Sequence, residues 1–128
     1  AVAIGHEAGK VVVTPRSAVY IGKSAGVADT GGQNVFIGHE AGIANIAGQL
    51  NTCIGYQANC AAAVTGQVAI GYSCEVSGAK GVAIGYDVTA ATNDCVIGDG
   101  TSNLITVDFD ADGTWTQSSD LRKKCNWR

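Results

Sequence analysis

The sequence predicts an all-β chain, wound as a parallel β-roll or β-solenoid of about seven short coils and closed by a C-terminal β-hairpin. Three observations predict it. The dipeptide Ile-Gly recurs seven times, and Gly5, Gly22, Gly38, Gly55, Gly71, Gly85 and Gly98 stand 17, 16, 17, 16, 14 and 13 residues apart. A short fixed period marks a stack of coils, each burying its apolar face only against its neighbours. The residues before each Gly are apolar and rich in Val and Ile, as a buried strand requires. The composition is that of thin coils, with Gly at 18 of 128 residues, aromatics at 6% and no Met.

Each coil follows from the register around its Ile. Two residues earlier stand Val2, Val19, Val35, Thr52, Val68, Val82 and Cys95. One residue earlier stand Ala3, Tyr20, Phe36, Cys53, Ala69, Ala83 and Val96. Successive strand residues point to opposite faces, so both faces of this strand are apolar and both need cover. A single roll has one interior. The Val/Ile ladder is expected to fill it, leaving Ala3, Tyr20, Phe36, Cys53, Ala69, Ala83 and Val96 to meet another copy of the chain. The repeat therefore argues for an obligate oligomer.

The Gly after each Ile opens a turn. A column of small residues follows, Ala8, Ala25, Ala41, Ala58 and Cys74, widening to Val88, and Gly9, Gly26 and Gly42 suit the next turn. A second short strand is expected at residues 11–13, 27–28 and 43–44. Polar turns such as residues 30–34 lead into the next copy. Residues 58–64 read as helical on propensity, but Ile-Gly returns on schedule at Ile70, and the period outranks a local Ala run. Six steps at about 4.8 Å make a rod on the order of 29 Å long.

The net charge is −3 with no basic stripe, which argues against a nucleic-acid surface. No apolar run reaches the roughly 18 residues of a membrane helix, so no membrane insertion is expected. The chain opens inside a repeat and has no Met, as expected of a fragment of a longer protein. Its five Cys (Cys53, Cys60, Cys74, Cys95 and Cys125) form no C-x-x-C pair and no zinc spacing. They are expected to be small buried apolar residues made in a reducing cell, ahead of a disulfide between coils or chains.

Repeats of the form Asn-x-x-Ile-Gly-x-x-Ala, as in Asn34-Val35-Phe36-Ile37-Gly38-His39-Glu40-Ala41 and Asn51-Thr52-Cys53-Ile54-Gly55-Tyr56-Gln57-Ala58, resemble two families. One is the head of trimeric autotransporter adhesins; the other is the repeat shaft of phage and prophage tail fibres and tailspikes. Coils of 16 and 17 residues look more like the fibre group. The resemblance implies a left-handed roll, intertwined or packed as a homotrimer. It implies a structural, non-enzymatic role in host attachment, in the virion tail, with a host-surface receptor or glycan as partner. The alternative is an adhesin head on the bacterial outer surface, binding host surface or matrix.

The segment Ser118-Ser119-Asp120-Leu121-Arg122-Lys123-Lys124-Cys125-Asn126-Trp127 resembles the opening of the endosialidase-type intramolecular chaperone, which trimerises such fibres and then cleaves itself off. Lys123 and Trp127 depart from that motif's Leu and Ile. The resemblance implies Ser119 as nucleophile and Lys124 as its base, since a Ser attacks only once a neighbouring base takes its proton. The rest of that domain, roughly a hundred residues, is not in this chain, so the fragment itself is expected to be inactive. The expected division is a β-roll shaft over 1–98, a hairpin transition over 99–118 and the start of the chaperone over 119–128.

Other candidates are weaker. Asp108-Phe109-Asp110-Ala111-Asp112-Gly113 opens like a calcium loop, but Ser119 stands where the twelfth-position acid belongs. Flanking strand-like residues make a hairpin turn the preferred reading. His6, Lys23, His39, Tyr56, Tyr72 and Tyr86 share one register and form a column along the rod. Tyr56, Tyr72 and Tyr86 are the candidate glycan contacts, with capping of the coil edge as the plainer role. His6 and His39 lack the density of donors of a metal site, and no metal or cofactor is expected. Gly22-Lys23-Ser24 lacks the upstream Gly of a phosphate loop. No paired carboxylates suggest glycan hydrolysis, and no regular Thr column suggests ice binding.

Overall fold

The computed structural model describes residues 1–11, 17–100, 102–110 and 115–118. Strands β1 (Val2–Ile4), β2 (Val19–Ile21), β3 (Val35–Ile37) and β4 (Thr52–Ile54) pair in parallel, one coil to the next. β5 (Asn59–Cys60), β7 (Glu75–Val76) and β9 (Thr89–Ala90) form a second, three-stranded parallel sheet on the opposite wall. β6 (Val68–Tyr72), β8 (Val82–Tyr86) and β10 (Asp94–Asp99) continue the first sheet in register, so Ile54, Ile70, Ile84 and Ile97 align. β11 (Leu104–Asp108) then turns back antiparallel on β10, and β12 (Trp115–Ser118) antiparallel on β11. The chain is a parallel β-roll of about six turns ending in the expected hairpin, and no helix occurs among the described residues.

The invariant Gly holds the coils at this spacing. Gly5, Gly22, Gly38, Gly55, Gly71 and Gly85 all have φ between 127° and 136°, which L side chains rarely adopt. Each also sits against the carbonyl of the Gly one coil on, so that a Cβ on Gly5 would lie 2.6 Å from the Gly22 oxygen. The Gly N–H donates to the Ile carbonyl of the preceding coil, as from Gly22 to Ile4 at 2.8 Å and from Gly38 to Ile21 at 2.7 Å.

The interior reverses the expected faces. Tyr20, Phe36, Cys53, Ala69, Ala83 and Val96 are buried inside the roll, together with Ala25, Ala41, Ala58, Cys74 and Val88. They are core residues and offer no surface to another copy; Ala3, at the end of the stack, is exposed. The Val/Ile ladder points outward instead. The physical reason lies in the coil's width. The residue between Val and Ile faces the small-residue column across the interior, and the aromatic rings of two coils fill space that Ala and Cys leave narrower elsewhere.

The same rings explain a second correction. Residues 27–28 and 43–44 form turns, not strands, and the second sheet begins only at β5. Gly26 and Gly42 take φ of 56° and 65° beside those rings. A Cβ on Gly42 would lie 2.6 Å from the Phe36 ring, and one on Gly26 2.8 Å from it. Where Cys53 replaces the ring, Asn59 replaces the Gly and the wall straightens into strand. Residues 12 and 13 of the expected second strand lie outside the described residues.

A buried polar ladder seals the turns before β3, β4 and β6. Asp29 accepts from the Tyr20 hydroxyl at 2.7 Å, Asn34 Nδ2 at 2.8 Å and Gly31 N at 2.8 Å. Asn34 also donates to the Gly48 carbonyl and accepts from Asn51 N at 2.9 Å. Asn51 repeats the pattern, accepting from Gln67 N at 2.9 Å and donating to the Val64 carbonyl. Gln67 closes it by donating to the Val76 and Gly78 carbonyls. These side chains supply partners that the turning backbone cannot find in a sheet.

Cys53 and Cys60 form a disulfide across the interior of one coil, joining β4 to β5. The expectation of unlinked Cys is corrected for this pair, because the two columns that carry them face each other. Cys74 is buried and unlinked, and desolvation pushes its thiol pKa up. Closing a loop of about eight residues contributes roughly 2.5 kcal/mol on the chain-entropy account. Cys60→Ala is therefore expected to lower the urea unfolding free energy by about that amount, and reductant should destabilise the native chain but not the variant. Equal reductant sensitivity in both would remove the disulfide from the account.

Candidate functional site

Two exposed features run the length of the stack. The first is the outer face of the long sheet. Val19 and Ile21, Val35 and Ile37, Ile54, Val68 and Ile70, and Val82 and Ile84 stand outward and half-buried by their neighbours in the ladder. Val2, Ile4 and Ile97 are more exposed at its ends. Thr52 and Cys95 occupy the same register. The result is a straight apolar strip two side chains wide, larger than the scattered apolar exposure of an ordinary surface.

The second feature is the column just past the Ile-Gly turn. His39, Tyr56, Tyr72 and Tyr86 stack ring on ring, with centroids 5.2, 5.2 and 4.9 Å apart and planes within 7°, 8° and 9° of parallel. The steps match the strand spacing that the sheet imposes, and the small interplanar angles keep the ring faces parallel from coil to coil. Tyr56, Tyr72 and Tyr86 are 44%, 46% and 56% exposed. The next residue in each coil, Glu40, Gln57, Ser73 or Asp87, has φ between 49° and 57°. That left-handed residue turns the chain sharply after the ring and aims the aromatic outward at the corner. Gln57 Nε2 ties one coil to the next by donating to Glu40 Oε2 at 2.8 Å.

His39 ends the aromatic stack, with Nδ1 buried and 3.9 Å from Glu40 Oε2. His6 lies two coils away, separated by Lys23. No cluster of three or more His, Cys, Asp or Glu able to hold a metal occurs among the described residues. Asp108 and Asp110 sit at the start of the β11–β12 turn, where Asp108 Oδ1 accepts from Asp110 N at 2.8 Å and Asp110 Oδ1 accepts from Asn93 at 2.7 Å. The other residues of the candidate calcium loop, 111–113, lie outside the described residues, as do Ser119 and Lys124.

Sequence reasoning placed the aromatic column correctly along the rod but missed the buried ladder of Asp29, Asn34, Asn51 and Gln67. The signal for it was in the repeat: Asn34, Asn51 and Gln67 each stand three residues before an Ile. It also missed the pairing of Cys53 with Cys60. No family model, curated protein or solved structure matches the chain.

Proposed function

We propose that this chain is a structural segment of a homotrimeric fibre, the shaft of a phage-type tail fibre or tailspike that serves host attachment. The observation that carries the reading is the outward Val/Ile ladder. A strip of this length is unfavourable in water and is covered when a copy of the same chain lies alongside with the same rung spacing. The partners proposed are two further copies of the chain, and the number three rests on the resemblance of the Asn-x-x-Ile-Gly-x-x-Ala repeat to trimeric shafts. The role is mechanical and non-catalytic, with the exposed column left free to meet a host surface.

Light scattering on the purified chain tests it. Wild type is expected at three times the chain mass. Ile70→Glu places a charge in the middle of the strip without touching the interior. It is expected to yield monomers with an unchanged β circular dichroism spectrum. A monomeric wild type, or a trimer indifferent to Ile70→Glu, would sink the proposal.

A further inference from the structure

We propose that the Tyr56–Tyr72–Tyr86 column is a binding track for a linear, extended β-1,4-linked polysaccharide lying parallel to the rod axis, one sugar per coil. The inference rests on the shaft reading above and names the ligand class of its exposed column.

The ring geometry restricts what the column can bind. Each ring face within the stack is already covered by the next ring. A flat aromatic ligand finds no open face there, and a sugar cannot stack on one. What remains outward is a row of ring edges and phenol hydroxyls. No hydrogen bond from the three hydroxyls to protein occurs among the described residues. The rings that carry them stand 5.2 and 4.9 Å apart between centroids, with planes within 8° and 9° of parallel. A complementary ligand must therefore be straight, polar and periodic, with a repeat close to the spacing of β-strands.

An extended β-1,4-linked hexose chain meets all three conditions, because it advances by about one strand spacing per sugar. Its successive sugars are flipped, so neighbouring rungs meet different hydroxyls. A phenol hydroxyl both donates and accepts, and so suits either presentation. An α-1,4-linked chain of the same sugar coils and leaves the track after a rung or two. The surroundings are polar on one side, with Gln57, Ser73 and Asp87 next in sequence and Glu75 and Thr89 exposed on the second sheet. On the other side lie Ile54, Ile70 and Ile84, so the track runs along the rim of the apolar strip.

Titration calorimetry on the intact chain tests the track, with cellohexaose, cellobiose and maltohexaose as probes. Cellohexaose is expected to bind, cellobiose at least tenfold more weakly, and maltohexaose not measurably at the same millimolar concentrations. Tyr72→Phe keeps the stack and removes one central hydroxyl; it is expected to weaken cellohexaose at least fivefold. Tyr72→Ala is expected to abolish binding, with circular dichroism confirming the fold. Cellohexaose that fails to bind, maltohexaose that binds equally well, or a Tyr72→Phe variant with unchanged affinity overturns the inference. Light scattering on the same samples separates the two readings: a trimer without binding defeats the track alone, whereas a monomer defeats the shaft.

Discussion

Gly71→Ala is expected to unfold the stack, or to remove more than about 4 kcal/mol of stability, well beyond the usual effect of a single substitution. Two causes add. Gly71 has φ of 129°, where an L residue is strained. The new Cβ would also overlap the Gly85 carbonyl oxygen and crowd the Cys74 sulfur at 3.2 Å. Neither neighbour can yield, because the Gly85 backbone is held in register by β6 and β8, and Cys74 is packed in the core. Gly66→Ala is the control. Gly66 also has a positive φ, 77°, but nothing lies within 4 Å of its Cβ position. Its loss is expected near 1 kcal/mol, the backbone strain alone. Urea denaturation of the two variants gives the comparison, and similar losses would refute the close-approach account.

Asn34→Ala is expected to cost about 3 kcal/mol or more, measured the same way. It removes two donated bonds and one accepted bond in a site closed to water. The Gly48 carbonyl and Asn51 N–H lose these partners, and each buried polar group left unpaired is worth about 1–3 kcal/mol. Asn34→Asp keeps the shape but sets a second carboxyl group against Asp29. Its penalty is expected to be at least as large at neutral pH. It should shrink in acid, where the introduced group is protonated and uncharged: a pKa raised by folding gives stability that is lost as pH rises through it. A loss below about 1 kcal/mol for Asn34→Ala would mean that the ladder is decorative.

The coil length, the strand phase and the glycine register were legible because period and residue size both encode them. The direction of the strands' faces was not. Both alternating sets are apolar, so the period of two is present without a sign. The sign was nevertheless recoverable from a pairing. Tyr20 and Phe36 occur where Gly26 and Gly42 stand six residues later, and small Cys53 occurs where Asn59 does. An inward ring needs a Gly beside it, and Gly9, six residues after Ala3, lies against the Tyr20 ring of the next coil. The aromatic column was legible as a register, but its ring-on-ring geometry depends on the left-handed residues that follow, and no residue preference announces Gln57, Ser73 or Asp87 in that conformation.

The hydrogen bonds between coils, such as those from Gly22 to Ile4 and from Gly38 to Ile21, run along the rod and not across it. Tension applied at the two ends of a lone chain would load them one coil at a time, as a zipper is opened, and the Cys53–Cys60 link would not help because it closes a single coil. Compression loads every layer together and finds them already in contact. A lone coil stack is thus stiff when pushed and weak when pulled. In the proposed trimer, pulling strength would come instead from the sideways grip of neighbouring chains on the Val/Ile ladder.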